Sequence, residues 1–151
     1  GNAVDLLIRH PQAISDLREH PDVIETAVEE FLRMESSNQL GNRRAVNDTT
    51  LGGVDIAAGT YAHICIGAAN RDPDQFPDPD RLDIRRQPNR HLAFATGIHT
   101  CAGMSLARME ARVAIGRLLQ RFPRIERSGQ FVRGGRARFR GFSSYPVRVR
   151  A

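Results

Sequence analysis

The segment Asp72–Pro88, DPDQFPDPDRLDIRRQP, is the strongest constraint on what this chain can fold into. Proline has no backbone donor and holds φ at about −65°, and Asp side chains compete for local hydrogen bonds, so the segment suits neither helix nor strand. It is not a flexible linker either, because Phe76, Leu82 and Ile84 offer regular apolar anchors. An ordered but irregular stretch therefore lies between the two regular parts of the chain.

Before that stretch the pattern is helical, then extended. Val4, Leu7 and Ile8 share one helical face over Ala3–Arg9; Pro11 interrupts, and Ala13, Ile14 and Leu17 resume the spacing. Pro21 opens a third helix at a favoured first-turn position, with Asp22 and Glu25 suited to the positive helix start. Its stripe is Ile24, Ala27, Val28, Phe31 and Leu32, and it is expected to end near Met34–Ser36. Short extended pieces are predicted at Arg44–Asn47 and Leu51–Ile56, flanking an Asp48–Thr50 turn. An Ala58-Gly59 turn then leads to a buried strand at Tyr61–Ile66, with Cys65 packed inside it.

After the irregular stretch comes a glycine-punctuated loop, then a long helix from about Gly103 to Pro123. Leu106, Met109, Val113, Leu118 and Leu119 are its apolar positions. Gly116 weakens that helix by up to about 1 kcal/mol relative to Ala, which suggests a close packing contact. Strands are predicted at Arg138–Phe142 and Val147–Val149. The expected class is mainly α with small antiparallel β-sheets.

A length of 151 residues suits one domain, and 40% hydrophobic residues suffice for a core. No run reaches the roughly 20 apolar residues of a membrane span, and no signal peptide is legible. The net charge is +5, and all 22 basic residues are Arg. That balance favours an anionic partner: nucleic acid, an acidic protein or a carboxylate-bearing cofactor. Nucleic acid is disfavoured, because the Arg are scattered and lack interleaved aromatics. Two cysteines, Cys65 and Cys101, are too few for a disulfide scaffold, so a reducing cytoplasm is expected.

Three constellations carry possible chemistry. Cys101 lies between the loop and the first turn of the long helix, where unpaired N–H groups favour a thiolate, a nucleophile or a metal ligand. Phe94, Gly97, His99 and Gly103 surround it; glycines admit a flat ligand, and His99 can donate to an anion. A zinc site is a poor fit, since no second ligand pair stands at suitable spacing. Glu30 and Arg33 share a helix face, as a solvated pair or as a buried pair joined by another Arg. Arg43 and Arg44 form a solvated edge or a carboxylate clamp.

Together these residues resemble the C-terminal part of a cytochrome P450 of the soluble bacterial kind. FATGIHTCAG (Phe94–Gly103) resembles the family's haem-binding loop, Phe-Gly-x-Gly-x-His/Arg-x-Cys-x-Gly. EEFLR (Glu29–Arg33) resembles its Glu-x-x-Arg helix, and ANRDP (Ala69–Pro73) and FPDPDRLDI (Phe76–Ile84) resemble the segments between them. The resemblance implies that residues 1–151 are a partial P450 domain: the Glu-x-x-Arg helix, the meander, the Cys-ligand loop and the following helix, without the N-terminal portion.

It also implies roles. Cys101 would be the axial thiolate of haem b iron, Phe94 would pack near the haem and the sulfur, and Gly103 would be a cofactor-binding position of the same loop. His99 and Arg43 would bind haem propionates, with Arg44 as the substitute for Arg43. Glu30, Arg33 and Arg81 would form the family's buried network, and contact between His91 and the haem stays open. Two departures stand out: Ala95 replaces the first loop glycine, and Leu82 replaces an aromatic after Arg81. The implied activity is that of a haem-thiolate monooxygenase, inserting one oxygen atom from O2 into an organic substrate. Electrons would come from an acidic ferredoxin or flavoprotein meeting Arg108 and Arg112, with Arg117 and Arg121 at similar spacing. The alternative is a truncated remnant, or a haem-binding piece without turnover.

Overall fold

A computed structural model describes residues 1–150 of the chain. Three N-terminal helices, α1 (Asn2–Arg9), α2 (Pro11–Glu19) and α3 (Ile24–Met34), pack with the long helix α5 (Met104–Arg121). Their apolar faces meet in one core that includes Leu6, Leu7, Leu17, Val28, Phe31, Ile115 and Leu119. Pro11 stands at the first turn of α2, and Pro21 opens a short 3-10 turn, Pro21–Val23, that leads into α3. Full burial of side chains such as Leu6 or Phe31 contributes about 1.5–3 kcal/mol each.

α5 departs from the expected stripe. It buries Ile115 and Leu119, while Leu106, Met109 and Val113 are about half exposed. A helix with apolar residues on more than one side cannot be oriented by periodicity alone. Gly116 makes no close contact: a Cβ there would meet nothing within 4 Å, contrary to the packing expected of it. The C-terminal end of α5 is held by Arg18, whose Nη2 donates to the Phe122 carbonyl at 2.7 Å.

The β structure is four separate antiparallel pairs. They join β1 (Leu40–Arg44) with β4 (Tyr61–Cys65), β2 (Thr49–Leu51) with β3 (Val54–Ile56), β5 (Arg124–Arg127) with β8 (Val147–Arg150), and β6 (Val132–Arg133) with β7 (Phe142–Ser144). Two-stranded ribbons are marginal alone, so the helical body places them. The first strand precedes the predicted Arg44–Asn47 segment. The expected Leu51–Ile56 strand is a hairpin that turns at Gly52-Gly53, both with positive φ. β4 is mostly exposed, Cys65 is exposed with it, and Ile66 begins the one-turn helix α4 (Ile66–Ala69). Arg138–Phe142 is not a continuous strand: Phe139 makes an isolated bridge to Asn38, and Phe142 begins β7. The C-terminal aromatics do alternate with Arg, but Arg133 stacks on Phe142 at 4.2 Å and Arg127 on Phe131 at 5.3 Å.

The Pro-rich stretch is irregular and anchored. Phe76 and Ile84 are buried, and the Arg33 guanidinium lies 5.2 Å over the Phe76 ring. Among the described residues no helix is long and apolar enough to cross a membrane.

Candidate functional site

The Cys101 loop leaves the irregular stretch at Arg90 and ends at Gly103, the N-cap of α5. It is folded back on itself: the Cys101 N–H donates to the Phe94 carbonyl at 2.9 Å, and the Met104 N–H to the Cys101 carbonyl at 3.2 Å. Gly97 has φ +68° and opens a short 3-10 turn, Gly97–His99. Ala95 has φ +58°, so the position where the family pattern has glycine does require the left-handed region. An L-residue with a Cβ is strained there by about 1–2 kcal/mol.

The outer face of this loop is open. Cys101 and His99 are exposed, and Ile98 is 97% exposed. A Cβ on Gly97 would meet nothing within 4 Å. Gly103 has an ordinary φ of −88°, and a Cβ on it would sit 3.9 Å from the Cys101 Sγ. Its backbone therefore accepts any residue, and only a group lying close to the sulfur would demand glycine. Arg43, on β1, is exposed and its Nη1 donates to the adjacent Asn42 carbonyl. Among the described residues neither Arg43 nor His99 forms an ion pair, and Arg44 instead lies 5.8 Å over Tyr61.

The inner face is a block of paired charges. Arg33 and Glu30 are both fully buried and doubly hydrogen bonded, each contact 2.8 Å. The solvated alternative for this pair is thereby overturned. The third arginine is not Arg81. Its side chain is exposed and lies 3.7 Å from Asp83, whereas Arg86 donates to Glu30 at 3.2 Å. Arg81 contributes only its carbonyl, at 3.4 Å from Arg33 and 3.3 Å from Arg86. The Asp83 N–H and the Asn89 amide also donate to Glu30. Burial opposes the Glu30 charge, but these donors and the two Arg outweigh it and hold its carboxyl below the ordinary range.

Asn70, fully buried, ties the block to the loop: Arg33 donates to its carbonyl at 2.8 Å, and its Oδ1 accepts the Leu92 N–H at 2.7 Å. A second cluster lies beside it. Arg108 grips Glu29 with two bonds of 2.8 and 2.7 Å, and His91 meets the same carboxylate at 3.1 Å. Burial would raise the Glu29 carboxyl, but the bonds from His91 and Arg108 hold it down to about 2. Arg112, one turn further along α5, pairs with Glu25, one turn closer to the start of α3. Arg108 and Arg112 are thus engaged within the chain, unlike Arg117 and Arg121, which form no ion pair among the described residues.

Sequence reasoning missed Arg86, Asn70 and Glu29. No periodicity exists in the irregular stretch to say which of Arg81, Arg85 and Arg86 turns inward. The donor set decides which metal group the loop suits. A bare ion needs several protein ligands, and no group of three or more His, Cys, Asp or Glu side chains is assembled among the described residues. One exposed thiol on an open, glycine-bearing face fits haem, whose porphyrin supplies the other in-plane ligands. The unpaired cations of Arg43 and an imidazole at His99 suit its carboxylates.

The family model described as Cytochrome P450 matches residues 4–130. The chain is 51% identical to a biotin biosynthesis cytochrome P450 of Bacillus subtilis over 125 residues, 83% of this chain and 32% of that protein. It is 44% identical to putative cytochrome P450 140 of Mycobacterium tuberculosis over 149 residues, 97% of this chain and 34% of that one. Among solved structures, P450BioI in complex with hexadec-9Z-enoic acid ligated acyl carrier protein superposes with TM-score 0.95 at 45% identity. That match covers 99% of this chain and 39% of the other. The chain spans about a third of the length of the curated relatives it matches.

Proposed function

Because the chain belongs to the cytochrome P450 family and has the fold of that family's C-terminal part, we propose that it is the haem-binding wall of a haem-thiolate monooxygenase. In this reading residues 1–151 hold the Glu-x-x-Arg helix, the meander, the Cys-ligand loop and the helix that follows. Haem bound through a thiolate supplies the electron push that favours O–O cleavage. The reaction inserts one oxygen atom of O2 into an organic substrate, and two electrons and two protons reduce the other atom to water.

This chain's own residues do the holding. Cys101 presents its sulfur on the open face of the loop, the Phe94 carbonyl holds the Cys101 N–H, and Gly97 and Gly103 keep side chains out of the way. Arg43 and His99 take the propionates. One observation carries the reading: the exposed Cys101 thiol, on a loop whose backbone is pinned to Phe94, with Gly97 facing open space and Gly103 beside the sulfur.

Electrons come from an acidic protein that meets the basic side of α5. Arg108 is committed to Glu29 and Arg112 to Glu25, so Arg117 and Arg121 are the arginines of that helix free to meet it. A second reading, that the 151-residue chain alone binds haem without turnover, is favoured by the same exposure: one open wall does not exclude water from the reaction.

The test is the Soret band of the reduced, haem-loaded protein under carbon monoxide. The proposal expects the red-shifted band of a thiolate complex in the wild type and its loss in Cys101→Ala. A band unaffected by that substitution would contradict the assignment.

A further inference from the structure

The cluster around Glu29 is turned into the protein, and it touches the Cys101 loop at three points, residues 91, 93 and 94. His91 is its hub. The Ala93 N–H donates to His91 Nδ1 at 3.2 Å, which makes Nδ1 an acceptor and leaves Nε2 to donate to Glu29 at 3.1 Å. The His91 side chain is 2% exposed, so water does not compete for either bond. Arg108 completes the cluster. It holds both Glu29 oxygens and lies 5.0 Å over the Phe94 ring, whose other neighbour is the His91 ring at 6.1 Å.

The chain of contacts is continuous. Glu29 belongs to α3 and Arg108 to α5, two helices of the packed core. Through His91 and Arg108 they fix residues 91, 93 and 94, and the Phe94 carbonyl receives the Cys101 N–H at 2.9 Å. This matters because the loop carries strain at Ala95, directly after Phe94. A strained backbone persists only where its surroundings over-determine it. The Glu30 block anchors the loop at Leu92 through Asn70, but it does not reach Phe94.

We propose that Glu29, His91 and Arg108 are positioning residues for the haem ligand: they lock Phe94 between α3 and α5, and its carbonyl sets the place of Cys101. The inference rests on Cys101 being that ligand. Each member has one task. Glu29 is the shared acceptor, Arg108 joins it to the Phe94 ring, and His91 joins it to the Ala93 backbone.

The neighbouring pair Arg112–Glu25 provides an internal control, because it also bridges α3 and α5 but does not touch the loop. The experiment compares haem-loaded wild type with Glu29→Gln, Arg108→Gln, His91→Ala, His91→Asn and Arg112→Gln. Two quantities are read: the ratio of thiolate-type to other Soret bands in the reduced carbon monoxide complex, and the reduction potential. Glu29→Gln, Arg108→Gln and His91→Ala are expected to lower the ratio about fivefold, the effect of one lost hydrogen bond, and to shift the potential.

His91→Asn keeps an amide oxygen at the Nδ1 position for the Ala93 N–H but falls short of Glu29, so it is expected to restore part of the wild-type ratio. It keeps the test readable if a harsher variant fails to take up haem. Arg112→Gln is expected to leave both readings unchanged. Wild-type ratios in Glu29→Gln, Arg108→Gln and His91→Ala, or an equal effect from Arg112→Gln, would overturn the proposal while the ligand assignment stood. A wild type whose band survives Cys101→Ala would overturn both.

Discussion

The two faces of the Cys101 loop use the same residue types to opposite ends. Behind the loop, Arg33, Arg86 and Arg108 are matched to Glu30 and Glu29, and every charge has a partner within 3.2 Å. Outside that block, His99 on the loop and Arg43 on β1 are exposed and form no ion pair among the described residues. A charge buried with its partners fixes a structure, because removing one partner strands the other in low dielectric. A charge left facing solvent costs little to keep and remains available to a ligand. The loop is thus rigid on its protein side and uncommitted on its ligand side.

The largest expected effect comes from breaking the rigid side. Arg33→Ala leaves the fully buried Glu30 short of its main partner and is expected to cost about 3–5 kcal/mol in unfolding free energy, measured by chemical denaturation. Arg86→Ala is expected to follow in the same direction. Arg81→Ala, on a solvent-exposed side chain, is expected to stay within about 0.5 kcal/mol. Equal losses for Arg81 and Arg86 would erase the distinction between them.

Acid separates the faces next. The folded Glu29 carboxyl titrates at about 2, below its ordinary value of 4.5, so its charged form stabilises the fold. That contribution is complete above about 4.5 and is lost as pH falls towards about 2. The stability difference between wild type and Glu29→Gln is therefore expected to shrink across that interval. A difference that grows on acidification would reverse the sign of the argument.

Smaller effects come from single backbone positions. Gly116→Ala is expected to stabilise α5 by about 1 kcal/mol, since its Cβ would enter open space. Ala95→Gly relieves the positive φ but loosens the unfolded chain, for a net gain of up to about 1 kcal/mol in thermal stability. The smallest effect belongs to the exposed, unpaired side chains. Arg43→Gln and His99→Gln are expected to leave the haem-free stability within about 0.5 kcal/mol while weakening haem uptake.

What the sequence disclosed follows the same division. The α3 stripe and the start of α5 were legible because a 3.6-residue period and the Pro and Gly punctuation agree there. The Cys101 loop was legible from glycines and a cysteine at fixed separations. Leu106, Met109 and Val113 showed a helix but not which of its faces is covered. Cys65 is expected inside a buried strand because its neighbours are apolar, yet it is exposed, since an apolar run in a two-stranded ribbon does not say which side meets the body. The choice of Arg86 over Arg81 was illegible, because a Pro-rich stretch turns its side chains by local geometry rather than by a repeat. Glu29 looked like any exposed acid on an amphipathic helix until the fold brought His91 and Arg108 to it.

The most direct measurement is X-ray absorption at the iron edge of the haem-loaded protein, in wild type and in Cys101→Ala. A sulfur scatterer in the first shell of the wild type, absent from the variant, is the predicted result. Iron coordinated only by nitrogen and oxygen in the wild type would contradict the account, because the open face would then not present Cys101 to the metal.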